Sequence, residues 1–147
     1  VFLTEGSFDL VDVELFMPAE GVEQTIALAH ENGKKVIMCN HDFDKTPAKE
    51  VIVERLCKMQ ERGADICKIA VMPQTTADVL TLLDATQEMY HEHADRPLIT
   101  MSMGSLGVVS RVSGATFGSS ATFGAAKQAS APGQVSVDEL RSILEIL

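Results

Sequence analysis

The chain has 147 residues, 46% hydrophobic and 22% charged, a make-up that fits one globular domain and excludes a disordered segment. A formal net charge of −9 with no cluster of Lys or Arg excludes a nucleic-acid surface. No apolar run approaches the ~18 residues that span a bilayer, the first residues lack the basic and apolar regions of a signal peptide, and Cys39, Cys57 and Cys67 show neither CxxC nor metal-finger spacing, so the expected setting is the reducing cytoplasm.

Residues 8–16 read as a strand, with Leu10, Val11, Val13 and Leu15 apolar and Asp12 and Glu14 sharing one parity. Pro18 opens a helix whose face is Val22, Ile26 and Ala29, and Gly33 ends it. A second strand is expected over 34–40. Thr46 and Pro47 read as N-cap and first position of the next helix, with Ile52, Leu56 and Met59 as its stripe and Gly63 as its stop. The third strand spans 66–72. Thr75 to Asp78 reads as a capping box, opening a helix that turns Val79, Leu82, Leu83 and Met89 inward. A fourth strand is expected over 97–103. The Gly- and Ser-rich stretch 104–118 reads as a long loop with one helical segment, and 121–126 as a short fifth strand. Ser130 to Gln134 is a loop. Ser136 to Glu139 caps a last helix with the stripe Val137, Leu140, Ile143, Leu144 and Leu147.

Strands alternating with helices imply right-handed βαβ units and a parallel sheet. Such a sheet is either open and doubly wound or part of a (β/α)8 barrel. Polar residues inside or at the ends of strands (Asp12, Glu14, His41, Lys68, Ser102) favour the barrel, where the C-terminal strand ends converge on one site. A full barrel needs about 250 residues. The expectation is therefore one α/β domain over residues 1–147, a TIM barrel's last five or so βα units. Val1 to Gly6 reads as the end of a helix that begins upstream.

The chemistry centres on Lys68, a charged residue inside the apolar run Ile66–Met72. A buried ammonium is costly to desolvate, which favours the neutral, nucleophilic amine that attacks ketones and aldehydes. The competing reading is a lysine that snorkels out of an edge strand. His41, at the end of the preceding apolar run, is a candidate acid/base partner. His30, His91 and His93 read as solvated. The glycines of 114–124 lack the lysine and spacing of a phosphate loop.

Five segments occur in order: Asn40-His41-Asp42-Phe43, Lys68-Ile69-Ala70-Val71-Met72-Pro73, Met101-Ser102-Met103-Gly104, Gly107-Val108-Val109-Ser110-Arg111 and Ser130-Ala131-Pro132-Gly133-Gln134. Together they resemble type I 3-dehydroquinate dehydratase along essentially the whole chain. The resemblance implies a (β/α)8 barrel, a homodimer and a lyase of the shikimate pathway that uses no metal or cofactor. The implied reaction removes water from 3-dehydroquinate through a lysine imine, giving 3-dehydroshikimate. By position, Lys68 is the Schiff-base nucleophile and His41 the general acid/base. Arg111 matches the arginine that clamps the substrate carboxylate, a task that suits a guanidinium fork. Ser130 and Gln134 match substrate contacts from a mobile loop. Met101, Met103 and Phe123 are expected to line the pocket with apolar surface, or equally to pack the core. Asp12 and Glu14 are expected to face the barrel interior, where they can pair with Lys68 or with groups on further strands.

The family's Glu-x-Arg strand end, a further arginine and the glutamate that orients the histidine all match positions upstream of residue 1. The isolated chain is accordingly expected to be inactive. Two rivals are a barrel Schiff-base enzyme of another kind, such as a class I aldolase, and a truncated barrel that binds without turnover.

Overall fold

A computed structural model describes residues 2–147, so Val1, the first residue of the expected truncated helix, lies outside the described residues. One helical turn, α1 (Phe2–Glu5), precedes β1 (Leu10–Glu14). Pro18 stands at the N-cap of α2 (Ala19–Glu31), which buries Val22, Ile26 and Ala29. The chain then reverses at Gly33, whose φ of +67° an L side chain adopts only with strain, and enters β2 (Lys35–Asp42). Next come α3 (Lys49–Glu61), β3 (Ile66–Val71) and α4 (Thr76–Glu88). The capping box of α4 is complete: Thr75 accepts from the Asp78 amide, and the Asp78 carboxylate accepts from the Thr75 amide. A π-helical turn, Met89–His93, extends α4 before β4 (Leu98–Ser102).

The four strands form one parallel sheet in the order β1-β2-β3-β4. Helices α2, α3 and α4 all send their apolar stripes to one face of it. There Val36 and Met38 of β2 and Cys67, Ile69 and Val71 of β3 meet Ile26, Ile52, Leu56, Met59 and Leu82 in one buried cluster. Removing a side chain such as fully buried Leu56 costs about 2–5 kcal/mol. The opposite parity builds a second, smaller cluster of Ala70, Ile99, Met101 and Met103 on the other face. Successive strands that pair as neighbours, with their long helices on one side, differ from a doubly wound sheet, which is covered on both.

The structure corrects the sequence reading at several points. Helix α3 begins at Lys49 with Ala48 as N-cap, not at Thr46. The Lys45 carbonyl accepts from the Met72 amide at 3.2 Å, which keeps the chain extended past Pro47 and delays the helix. Strand β2 runs two residues further than expected, because His41 and Asp42 pair with Ala70 and Val71. The loop after β4 contains two short helices, α5 (Val108–Val112) and the 3-10 turn Gly114–Phe117.

No strand forms over 121–126. Among the described residues only isolated bridges occur nearby, Leu98 to Ser119 just before the segment and Ala125 to Ser136 within it. The outer edge of β4 is satisfied partly by side chains: the Thr100 amide donates to Ser119 Oγ at 3.0 Å and the Ser102 amide to Ser110 Oγ at 2.9 Å. Hydroxyls that take these donors leave less ladder for another strand. In α6 (Val137–Leu144), capped by Ser136, only Leu140 of the expected stripe is buried.

Candidate active site

The parallel register assembles the site. Glu14 pairs with Cys39, and Cys39 pairs with Lys68, so Asp12, Glu14, Cys39, His41 and Lys68 share the face opposite the long helices. Lys68 lies on β3 between two paired strands, which rules out the edge-strand reading. It is 9% exposed. Its Nζ donates to Asp12 Oδ2 at 3.0 Å and stands 5.3 Å from the centre of the Phe123 ring. Burial alone suggested an isolated amine; the structure gives it a counter-charge and an aromatic face.

His41 Nδ1 lies 3.1 Å from Glu14 Oε2. The carboxylate accepts the Nδ1 proton, which assigns the other lone pair to Nε2. Phe43 stacks on the imidazole at 5.7 Å and 8°. Behind them, Arg55 Nη1 donates to Asn40 Oδ1 at 2.9 Å, and Asn40 Nδ2 donates to Glu14 Oε1 at 3.2 Å. This relay aligns the carboxylate that aligns the ring. The sequence reading assigned the orienting glutamate to an upstream position; within this chain Glu14 makes that contact. The signal was available, since Glu14 shares the parity of Asp12 and stands at the end of the strand next to His41.

A pocket of about 230 Å3 opens over this face, and His41, Lys68, Met101, Met103, Phe123, Ser130 and Gln134 line it together with Phe43, Ala70 and Ala131. These seven expected residues are thus brought together, and only Arg111 stands apart from the pocket wall. Arg111 is 1% exposed; its Nη1 donates to Met101 Sδ at 3.5 Å and its Nη2 to the Pro132 carbonyl at 3.0 Å. Its Nε has no partner among the described residues, and burial pushes its pKa down. It sits directly behind the loop that Ser130 and Gln134 form. In that loop the Ser130 amide donates to Gln134 Oε1 at 2.8 Å, and Gln134 Nε2 donates to Ser130 Oγ at 3.0 Å. Gly133, at φ +76°, lets the loop lie on Gly104, whose amide donates to the Pro132 carbonyl at 3.2 Å.

The thiol of Cys39 is next to both carboxylates. Burial first, then the charges of Asp12 and Glu14, push its pKa up to about 12, against the pull of Lys68. It is a thiol at neutral pH and does not compete with Lys68 as a nucleophile. His30 is exposed, as expected, and its Nε2 pairs with Asp65 Oδ2 at 2.8 Å on the surface behind the sheet. His91 and His93 are exposed, as expected.

Fold and site together define a parallel α/β protein that gathers a paired lysine and a carboxylate-held imidazole in one largely apolar pocket. A family model described as type I 3-dehydroquinase matches residues 2–147, and the chain belongs to that family. It is 63% identical over 142 residues to the 3-dehydroquinate dehydratase of Salmonella typhimurium, a match covering 97% of this chain and 56% of that protein. It is also similar to the type I 3-dehydroquinate dehydratase of Clostridium difficile, crystallised with covalently modified comenic acid, with a TM-score of 0.94, 58% identity, and 99% and 57% of the two chains covered. The Geobacillus kaustophilus 3-dehydroquinate dehydratase gives a TM-score of 0.94 at 41% identity, over 99% of this chain and 56% of that one. The chain spans about half the length of the curated relatives it matches. Family membership displaces the class I aldolase reading.

Proposed function

We propose that this chain carries the catalytic half of a type I 3-dehydroquinate dehydratase, a metal-free lyase working through a lysine imine. The observation that carries this reading is the placement of Lys68 and His41 in one pocket, each held by its own carboxylate on β1. In this reading Lys68 first passes a proton to Asp12, the nearest acceptor. Its free amine then attacks the ketone of 3-dehydroquinate, and loss of water leaves an iminium. The iminium withdraws electrons from the neighbouring carbon. His41 Nε2 takes a proton from that carbon, and the electron pair moves toward the iminium nitrogen. The same imidazole returns its proton to the leaving hydroxyl, which departs as water. Hydrolysis of the product imine releases 3-dehydroshikimate and regenerates the amine.

Arg111 binds the substrate carboxylate in this scheme, exchanging its Pro132 carbonyl contact for a charge-assisted one. The loop carrying Ser130 and Gln134 then responds to substrate directly, since the same carbonyl ties it to Gly104. A closed loop keeps water from the imine until product is made. The four parallel strands belong, in this reading, to a (β/α)8 barrel of a single domain, completed by strands beyond β1 and β4. Parallel neighbours in chain order and long helices on one face support that architecture. A homodimer and a cytoplasmic setting follow from the family resemblance and from three free thiols.

The test is reductive trapping. Borohydride added to the full-length protein with 3-dehydroquinate should fix a ligand-sized mass on the peptide containing Lys68. Lys68→Ala should lose both the adduct and turnover. An adduct on Lys58 or Lys127 would refute the assignment.

A further inference from the structure

Glu14 ends β1, and Cys39 and His41 stand beside it on β2 with the same parity. Their donor atoms all lie within 4.8 Å of one another. Cys39 Sγ is 3.7 Å and His41 Nδ1 is 3.1 Å from the same oxygen, Oε2 of Glu14. Around a tetrahedral zinc ion with bonds of about 2.0–2.3 Å, ligand atoms stand roughly 3.3–3.8 Å apart. Small side-chain shifts therefore turn this contact into a coordination set. The donors are a thiol, an imidazole and a carboxylate, the mixture that zinc-class ions take. Asn40, itself held by Arg55, donates to the other Glu14 oxygen and orients the carboxylate as outer partners of metal ligands do. Charge also fits. A thiolate and a carboxylate offset a dication, and the neighbouring Lys68 already has Asp12.

We propose that Glu14, Cys39 and His41 form a site for a zinc-class divalent cation, and that the cation inhibits the protein by capturing His41. The inhibition rests on the acid/base role proposed for His41; the binding does not. On binding, the Cys39 S–H bond breaks and that proton passes to solvent. The Nδ1 lone pair goes to the ion, and the ring's proton moves to Nε2. Glu14 exchanges its hydrogen bond from Nδ1 for a bond to the ion. Nε2 then donates and no longer accepts, so the base of the proposed reaction is gone. The proposed cation is an exchangeable inhibitor and not a permanent resident. Sequence spacing could not show the site, because it is built across two strands and not along one segment.

The test titrates the full-length protein with Co2+, a coloured stand-in, and with Zn2+. A single Co2+ per chain is expected, giving a sulfur-to-cobalt charge-transfer absorption that Zn2+ displaces. Zn2+ should inhibit dehydration of 3-dehydroquinate, reversibly on adding EDTA. Cys39→Ser should retain turnover, lose the charge-transfer band and need at least about tenfold more Zn2+ for half inhibition. Absence of the band in the parent protein overturns the proposal, whatever the variant does. So does a band that survives in Cys39→Ser, which assigns the metal to another thiol. Binding through Cys39 without inhibition refutes the capture of His41. Binding through Cys39 by a protein that never dehydrates 3-dehydroquinate upholds the cation site and sinks the functional reading instead.

Discussion

Glu14 Oε2 lies 3.1 Å from Nδ1 of His41, a carboxylate–imidazole pair formed between neighbouring parallel strands. The pair sets the tautomer that leaves Nε2 free to accept a proton. His41→Ala should lower turnover by the ~10²–10⁴ typical of a lost general acid/base, while the imine with Lys68 still forms. Glu14→Gln should lose at least about tenfold in kcat with little change in KM if the carboxylate acts by positioning the ring. Steady-state kinetics with borohydride trapping separates the two. Equal losses of kcat/KM through KM in Glu14→Gln would contradict the positioning role.

Arg111 is buried, its Nε has no partner among the described residues, and its guanidinium rests on the Pro132 carbonyl. Arg111→Lys keeps a charge and loses the bidentate fork. If Arg111 clamps the substrate carboxylate as proposed, turnover and substrate binding should fall together, since such a clamp also orients the ring. A substrate analogue without the carboxylate should be indifferent to the change. If it suffers as much as the parent substrate, Arg111 serves only the loop.

Gly133 has φ +76°, and a Cβ there would overlap the Gly104 carbonyl. Gly133→Ala should therefore hold the Ser130–Gln134 loop away from the pocket. The expected result is a raised KM and a lowered kcat with an unchanged melting temperature, measured by kinetics and calorimetry. Normal kinetics would show that closure of this loop is not required.

Asp65 reports on stability and not on catalysis. Burial pushes its pKa up, but Lys35, the Val36 amide and His30 together bring it down to about 2 from an ordinary 3.8. A carboxylate with a depressed folded-state pKa contributes stability that is present above pH ~4 and is lost as pH falls toward ~2. Asp65→Asn should cost about 2 kcal/mol at pH 7 in urea denaturation. That difference should shrink as the pH falls from ~4 toward ~2. A pH-independent difference would mean that packing, not charge, supplies the effect.

Strand β1 has a partner in the sheet on one side only among the described residues. In the barrel reading that open edge is a pairing surface awaiting further strands. Residues 1–147 alone should therefore fail to dehydrate 3-dehydroquinate. Co-expression with the upstream half of a family member should restore activity. A monomeric, active product of these residues alone would overturn the barrel reading.

Hydrophobic periodicity alone determined the four strands and the long helices, because a 2-residue or 3.6-residue repeat records which face is buried. The capping box at Thr75 was equally legible, being a contact made within four residues of chain. Lys68 stood out because a charge inside an apolar run needs a reason, and the motif order tied it to His41, Arg111 and the Ser130–Gln134 loop. Local pattern failed where distant backbone intervened. Thr46 lost its capping role to a hydrogen bond between Lys45 and Met72, and 121–126 gave no strand because serine hydroxyls had taken donors on the β4 edge. Only the tertiary structure decided which carboxylate pairs with Lys68 and which with His41. Parallel register set Asp12 against Lys68 and Glu14 against His41, and brought Cys39 between them. Register is a property of strand pairs, so no single segment carries it.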